Sequence, residues 1–270
     1  MRKVQRPPRL DGPPPAPEAG SRAAWAQPWW WVAAGCAGLV AIGIGAPLPW
    51  YAGAAGAGYL VVSTLLLTRG LRRRGAGRLG PANAVTATRS TLVGLVTALI
   101  VASFSGPVPT LLLVSLTACA LVLDGLDGWV ARRTASESEL GAQFDMEVDA
   151  YLLLALCVYD ARYVGWWVLI IGLLRYAFVA AGWLLPWMRR TLPPRYWRKV
   201  VTAACGVALT VVASQLLPPA GNLLMAAAAL ALVSESFGRD VLWLIRMNRR
   251  GSGIVSQEKA STTSPPEESG

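Results

Sequence analysis

Residues 108–133 read VPTLLLVSLTACALVLDGLDGWVARR. No charge appears from Val108 to Leu123; then Asp124 and Asp127 follow, closed by Arg132 and Arg133. A bilayer-spanning helix needs about 20 mostly apolar residues, so this run reads as a membrane span with acids in its last turns. Leu60–Leu67 and Leu92–Phe104 are also uncharged. Composition agrees. Of the 270 residues, 54% are hydrophobic and 15% charged, against about 25% charged in soluble domains, and mean hydropathy is +0.45. These figures argue against a soluble globular protein.

Working outward, the chain holds eight candidate spans, at about 28–48, 51–69, 84–104, 108–131, 141–159, 163–185, 198–217 and 220–246, each near the length a bilayer demands. Lys and Arg test the arrangement. They crowd the N-terminal tail, the 69–78 and 189–199 loops and the C-terminal end, with a pair at Arg132 and Arg133. The intervening loops hold none, or only Arg162. That alternation is the positive-inside pattern of an all-α membrane protein with both termini cytoplasmic. Trp29–Trp31, Trp50, Trp166, Trp167, Trp187 and Trp197 lie near span ends, as an aromatic belt places them. Residues 1–26, basic and Pro-rich, and residues 249–270, rich in Ser, Thr and Gly, read as disordered tails.

The chain has no histidine. This removes His-ligated zinc and Ser-His-Asp chemistry and leaves acid–base work to carboxylates, Lys, Tyr or Cys. The four cysteines, Cys36, Cys119, Cys157 and Cys205, sit singly in apolar runs and read as small buried hydrophobes. The net charge of +10 is expected to reflect orientation and anionic lipid rather than nucleic acid.

The informative residues are acids at membrane depth. Asp124 and Asp127 are i, i+3; Asp145 and Asp149 are i, i+4; each pair shares a helix face. A short loop joins the two spans, so four carboxylates converge near one surface. Intramembrane acids generally mark function, and converging carboxylates repel unless cations lie between them. Oxygen-only ligation favours Mg²⁺, Mn²⁺ or Ca²⁺, and two such ions handle diphosphate chemistry. The alternative is a buried network with Arg132, Arg133 or Arg89. Gly128, Ala131 and Gly141 lack bulk, which suits either close approach of a ligand or helix packing.

The pattern Asp124-x-x-Asp127-Gly128-x-x-Ala131-Arg132-x8-Gly141-x-x-x-Asp145-x-x-x-Asp149 resembles the signature of the CDP-alcohol phosphotransferase family, with every fixed position filled. Upstream, Pro81-Ala82-Asn83-Ala84-Val85-Thr86-Ala87-Thr88-Arg89 is similar to the run that opens the family's first core helix, with Ala82 intervening between Pro81 and Asn83. The resemblance implies a six-helix core at about 79–248, with two further helices at 27–70. It implies displacement of CMP from a CDP-linked donor, usually CDP-diacylglycerol, by a polar alcohol. Asp124, Asp127 and Asp145 would hold two divalent cations, Mg²⁺ or Mn²⁺. Asp149 would act as general base and also touch a metal. Gly128, Ala131, Gly141, Asn83 and Thr86 would line the cytidine pocket, with Arg132 near the phosphates. A homodimer in the cytoplasmic membrane, its site facing the cytoplasm, is the corresponding expectation.

The acceptor side rests on Arg175, mid-span in helix six, and on Arg195, Arg198 and Lys199 at the start of helix seven. Arg175 and the run Arg198-Lys199-Val200-Val201-Thr202 resemble the phosphatidylglycerophosphate synthase branch, which implies glycerol 3-phosphate. An inositol phosphate or another polar alcohol is the alternative. A pair between Arg175 and Glu235 or Asp240 is the structural reading of that arginine, and positive-inside topology that of the basic cluster. The chain departs from the phosphate-acceptor branches at Ala150, where Lys or Arg is usual, and at Met146-Glu147-Val148. Glu147 lies about 160–200° from the Asp145/Asp149 face. Rival classes are a transporter, which predicts acids spread across the bilayer and an internal repeat, and a non-catalytic scaffold, which predicts a lost metal ligand.

Overall fold

The computed structural model describes residues 20–73, 81–134, 139–185, 187 and 196–262, with side chains described over 29–70, 84–126, 143–185, 187 and 197–248. Among these residues, eight α-helices follow one another: α1 (Gly20–Gly45), α2 (Trp50–Arg73), α3 (Pro81–Ala102), α4 (Thr110–Thr134), α5 (Glu139–Val164), α6 (Leu169–Leu184), α7 (Tyr196–Ser214) and α8 (Pro219–Thr262). The all-α architecture and the number of helices match the sequence expectation.

Among the described residues, five segments are long and apolar enough to cross a membrane: Trp50–Gly70, Ala84–Ala102, Trp166–Leu184, Trp197–Ser214 and Pro219–Asn248. Trp29–Gly45 and Thr110–Leu126 are apolar but shorter. Helix α5 is absent from both groups because Asp145, Glu147 and Asp149 interrupt its apolar run.

The helix ends differ from expectation in three places. Helix α1 begins at Gly20 and α8 continues to Thr262, so part of each stretch read as a disordered tail is helical; extending an existing helix costs far less than nucleating one. Helix α5 runs to Val164, beyond 159, and takes Arg162 out of the expected loop and into its last turn. The chain turns instead at Gly165, whose φ of 99° a residue with a side chain rarely adopts. A 3₁₀ turn, Trp166–Val168, then leads into α6.

Helix α3 is the centre of the molecule and packs against α1, α2, α4 and α5. Its segment from Val93 to Ile100 is buried on every side, which explains why the run carries no charge and shows no amphipathic stripe. Helix α5 is the second hub, against α2, α3, α6, α7 and α8. Among the described residues, helix α6 packs on α5, α8 and the 3₁₀ turn, and exposes Ile170, Leu173, Val179, Trp183 and Leu184, an apolar surface suited to lipid.

Small residues set the close crossings, as in membrane bundles generally. A Cβ on Gly172 of α6 would meet the Leu154 Cα of α5 at 2.7 Å, and one on Gly206 of α7 would meet Leu121 of α4 at 2.8 Å. At the far end of α5, the Arg162 guanidinium donates to the Ser103 carbonyl at 2.9 Å and to its Oγ at 2.6 Å. It lies over the rings of Phe104 and Tyr159, 5.2 and 5.0 Å from their centroids. The contact satisfies a carbonyl just past the end of α3 and ties α3 to α5. Of the cysteines, Cys157 and Cys205 are buried as expected, whereas Cys36 and Cys119 lie on exposed helix faces.

Because the Gly172 neighbour is backbone, Gly172→Val forces α5 and α6 apart. It should destabilise the detergent-solubilised protein by about 1–3 kcal/mol, whereas Gly182→Ala, with nothing within 4 Å of the added carbon, should be neutral. Thermal unfolding followed by circular dichroism distinguishes the two, and equal midpoints would refute the tight crossing.

Candidate active site

Two helix ends build the site. The last turns of α4 bring Asp124, and the first turns of α5 bring Asp145 and Asp149. One carboxylate oxygen from each lies within 4.8 Å of the others. The i, i+4 spacing of Asp145 and Asp149 puts both on one face of α5, and the short connection between α4 and α5 returns the chain beside Asp124. All three carboxylates are partly exposed, with side-chain accessibilities of 32%, 29% and 22%.

Arg89 of α3 sits among them with its side chain wholly buried. Its Nη1 donates to Asp124 Oδ1 at 2.5 Å. Its Nη2 bonds Asp145 Oδ1 and donates to the Asp145 carbonyl at 3.2 Å, and it pairs with Asp149 Oδ1 at 3.2 Å. Of the three arginines named as alternative partners, Arg89 is therefore one that does enter the acidic network. Its single positive charge faces three carboxylates and leaves two negative charges unmatched by it. An all-oxygen donor set with that excess suits a hard divalent cation.

The other residues read from the sequence fall around this cluster. Asp127, Gly128, Ala131 and Arg132 lie on the last turns of α4, Gly141 in the first turn of α5, and Asn83 in the first turn of α3; their side chains lie outside the described set. Thr86 is buried one turn before Arg89, on the same face of α3. Arg195 lies outside the described residues. The positive charges of Arg175 and Lys199 are close enough to interact with Asp149 and Asp145 respectively, and Lys199 is exposed. Arg175 bonds Glu147 Oε1 through Nη2 at 2.6 Å. An acid does pair with this arginine, as the structural alternative had it, but from α5 rather than α8: Glu235 holds Arg239 on its own helix, and Asp240 lies 3.7 Å from Arg198. Glu147 can reach α6 because it points off the aspartate face of α5.

A family model described as CDP-alcohol phosphatidyltransferase matches residues 80–234, more than half of the chain. The chain belongs to this family. The match begins at α3, takes in all four aspartates of the signature and ends within α8. Among curated proteins and solved structures there is no significant match. The protein is thus a CDP-alcohol phosphatidyltransferase family enzyme of phospholipid synthesis. Its acidic cluster is consistent with a metal site, helices α1 and α2 precede the matched region, and several of its helices can span a membrane.

Sequence reading passed over one acid. Asp160 of α5 is fully buried, and neither carboxylate oxygen has a hydrogen-bond partner among the described residues. Eleven residues after Asp149, it returns to the same helix face, about 20° away and ~16 Å along the axis. The span expected from the sequence ends at 159, which leaves Asp160 in a loop and outside the rule that flags carboxylates within apolar runs.

Arg89→Met removes the buried counter-charge and leaves the carboxylates to repel one another. In metal-free buffer the variant should lose about 3–5 kcal/mol of stability, and millimolar Mg²⁺ or Mn²⁺ should restore part of it. Unfolding curves with and without cation measure this; a cation-independent loss would argue against the cluster as a cation site.

Proposed function

We propose that this enzyme transfers a phosphatidyl group from CDP-diacylglycerol to a polar alcohol and releases CMP. The observation that carries the reading is the convergence of Asp124, Asp145 and Asp149 from two helices, with ligand atoms within 4.8 Å of one another, inside the family-matched region. Asp124, Asp127, Asp145 and Asp149 hold two divalent cations, Mg²⁺ or Mn²⁺. When bound, these neutralise the diphosphate and the charge that develops on the leaving phosphate.

The chain's own residues supply the rest. Asp149 accepts the proton of the acceptor hydroxyl. The acceptor oxygen bonds the phosphorus that bears diacylglycerol, and the bond from that phosphorus to CMP breaks. Asn83, Thr86, Gly128, Ala131 and Gly141 line the cytidine pocket, the small residues because bulk there would exclude a ring lying against the helices. Arg132 lies at the nucleotide phosphates. Arg89, bonded to three of the acids, holds their carboxylates in place.

Glycerol 3-phosphate is the acceptor this reading favours. Arg175 and Lys199 are close enough to interact electrostatically with Asp149 and Asp145, and the sequence adds Arg195 and Arg198 around the start of α7, a basic set suited to a phosphate-bearing alcohol. The Glu147–Arg175 pair supports a second reading, a less anionic polar alcohol, because a carboxylate already occupies one of the cations; an inositol phosphate would use the same basic residues as glycerol 3-phosphate. The protein spans the cytoplasmic membrane with both termini and the site on the cytoplasmic side, in keeping with the Lys/Arg alternation, and acts as a homodimer. It binds no nucleic acid.

CMP release by purified protein in detergent tests the reaction, with CDP-diacylglycerol, Mn²⁺ or Mg²⁺ and a panel of glycerol 3-phosphate, inositol phosphate, inositol, serine and a polyol. Metal-dependent release with glycerol 3-phosphate is the expected result, and release with another acceptor alone would replace that assignment. Asp149→Asn should lower turnover at least a hundredfold while leaving the thermal midpoint nearly unchanged; normal turnover would remove Asp149 as the base.

A further inference from the structure

Helices α1 and α2 lie before the family-matched region, yet they are seated deeply against the site. Leu60 of α2 fills slots left by glycines on two neighbours. A Cβ on Gly35 of α1 would meet it at 2.4 Å, and one on Gly94 of α3 at 2.7 Å. A Cβ on Gly56 of α2 would come within 2.8 Å of the Gly94 carbonyl of α3. The Gly56–Gly94 approach is a backbone-close crossing, and at Gly35 and Gly94 the absence of a side chain makes room for Leu60.

Two aromatic residues carry the contact toward the aspartates. Trp31 of α1 donates through Nε1 to Thr88 Oγ1 at 2.9 Å, next to Arg89; Thr88 Oγ1 in turn donates to the Ala84 carbonyl. Tyr59 of α2 stacks on Tyr151 of α5, with ring centroids 4.5 Å apart and planes inclined by 27°. Tyr151 lies two residues past Asp149, and its hydroxyl accepts from Thr97 Oγ1 of α3 at 3.3 Å. The Tyr59 phenol also neighbours Ser90 and Arg89. One side chain of α2 therefore braces the α3 segment that brings Arg89 against the α5 segment that brings Asp149.

We infer that α1 and α2 form a positioning layer for the aspartate cluster, with Tyr59 and Trp31 as positioning residues that act through Tyr151, Thr88 and Arg89. The inference rests on the reading of the cluster as a divalent-cation site. Neither residue touches the reacting atoms. Their effect is to fix α3 and α5 so that the three carboxylates keep one geometry, and outer-shell partners of this kind typically change metal affinity tenfold or more.

Binding of Mn²⁺ to the full-length protein in detergent, followed by electron paramagnetic resonance, tests this without knowledge of the acceptor. Tyr59→Leu removes the stack and should weaken Mn²⁺ binding about tenfold. Tyr59→Phe keeps the ring and should bind within about twofold of the unmodified protein, as should Val40→Ala at an exposed α1 position. Unchanged binding by Tyr59→Leu would overturn the inference and leave the cation site standing. Failure of the unmodified protein to bind Mn²⁺ would overturn the cation site and the inference with it. Should Tyr59→Leu not fold, Trp31→Phe decides: binding about threefold weaker supports the layer, and equal binding refutes it.

Discussion

Three carboxylates held around one buried guanidinium are the constraint on which the rest of this structure depends. Placing Asp124, Asp145 and Asp149 at the mouth of an apolar bundle is costly unless positive charge meets them, and Arg89 supplies one such charge from the central helix. That requirement brings together the ends of α3, α4 and α5, and the remaining helices pack around those three. Burial of α3 follows from the same demand. A guanidinium with no solvent exposure needs a helix surrounded by neighbours, and α1, α2, α4 and α5 provide them.

Much of this was legible in the sequence because charge inside apolar sequence is a loud signal. The uncharged run Val108–Leu123 announced a helix, and the i, i+3 and i, i+4 aspartate spacings announced shared faces. Arg89 was legible as a component of a family-like motif and as one possible partner of the acids, but its role as the hub of three aspartates was not, since spacing along one helix says nothing about reach between helices. The Glu147–Arg175 pair was hidden for the same reason: the two residues lie on different helices, and several acids offered equally plausible partners. Helix ends were misjudged where a backbone conformation decided them, as at Gly165, whose positive φ no hydropathy pattern encodes.

The two helices ahead of the family-matched region are joined to it by a fitted seam. Leu60, Gly35, Gly56 and Gly94 form interlocking contacts in which glycine on one helix admits bulk or backbone from the next. Such a joint cannot form against an arbitrary core surface, because the partner helix must present its own small residue at the matching height. Gly94, inside the matched region, is that residue here, so the core of this chain is shaped to receive what precedes it.

Arg162 and Arg89 together have a mechanical meaning. Arg89 reaches from α3 to α5 at one end of the pair, and Arg162 reaches from α5 back to Ser103 at the other. The two attachments are 14 residues apart along α3, from Arg89 to Ser103, and 13 apart along α5, from Asp149 to Arg162. Two rods riveted at both ends cannot slide past one another. Arg175 rides on α6, which the Gly172–Leu154 crossing and the Arg175–Glu147 ion pair fasten to α5. The site is thus a closed clamp: the α3–α5 pair carries the aspartates, and α6, fastened to α5, carries Arg175 within electrostatic reach of Asp149.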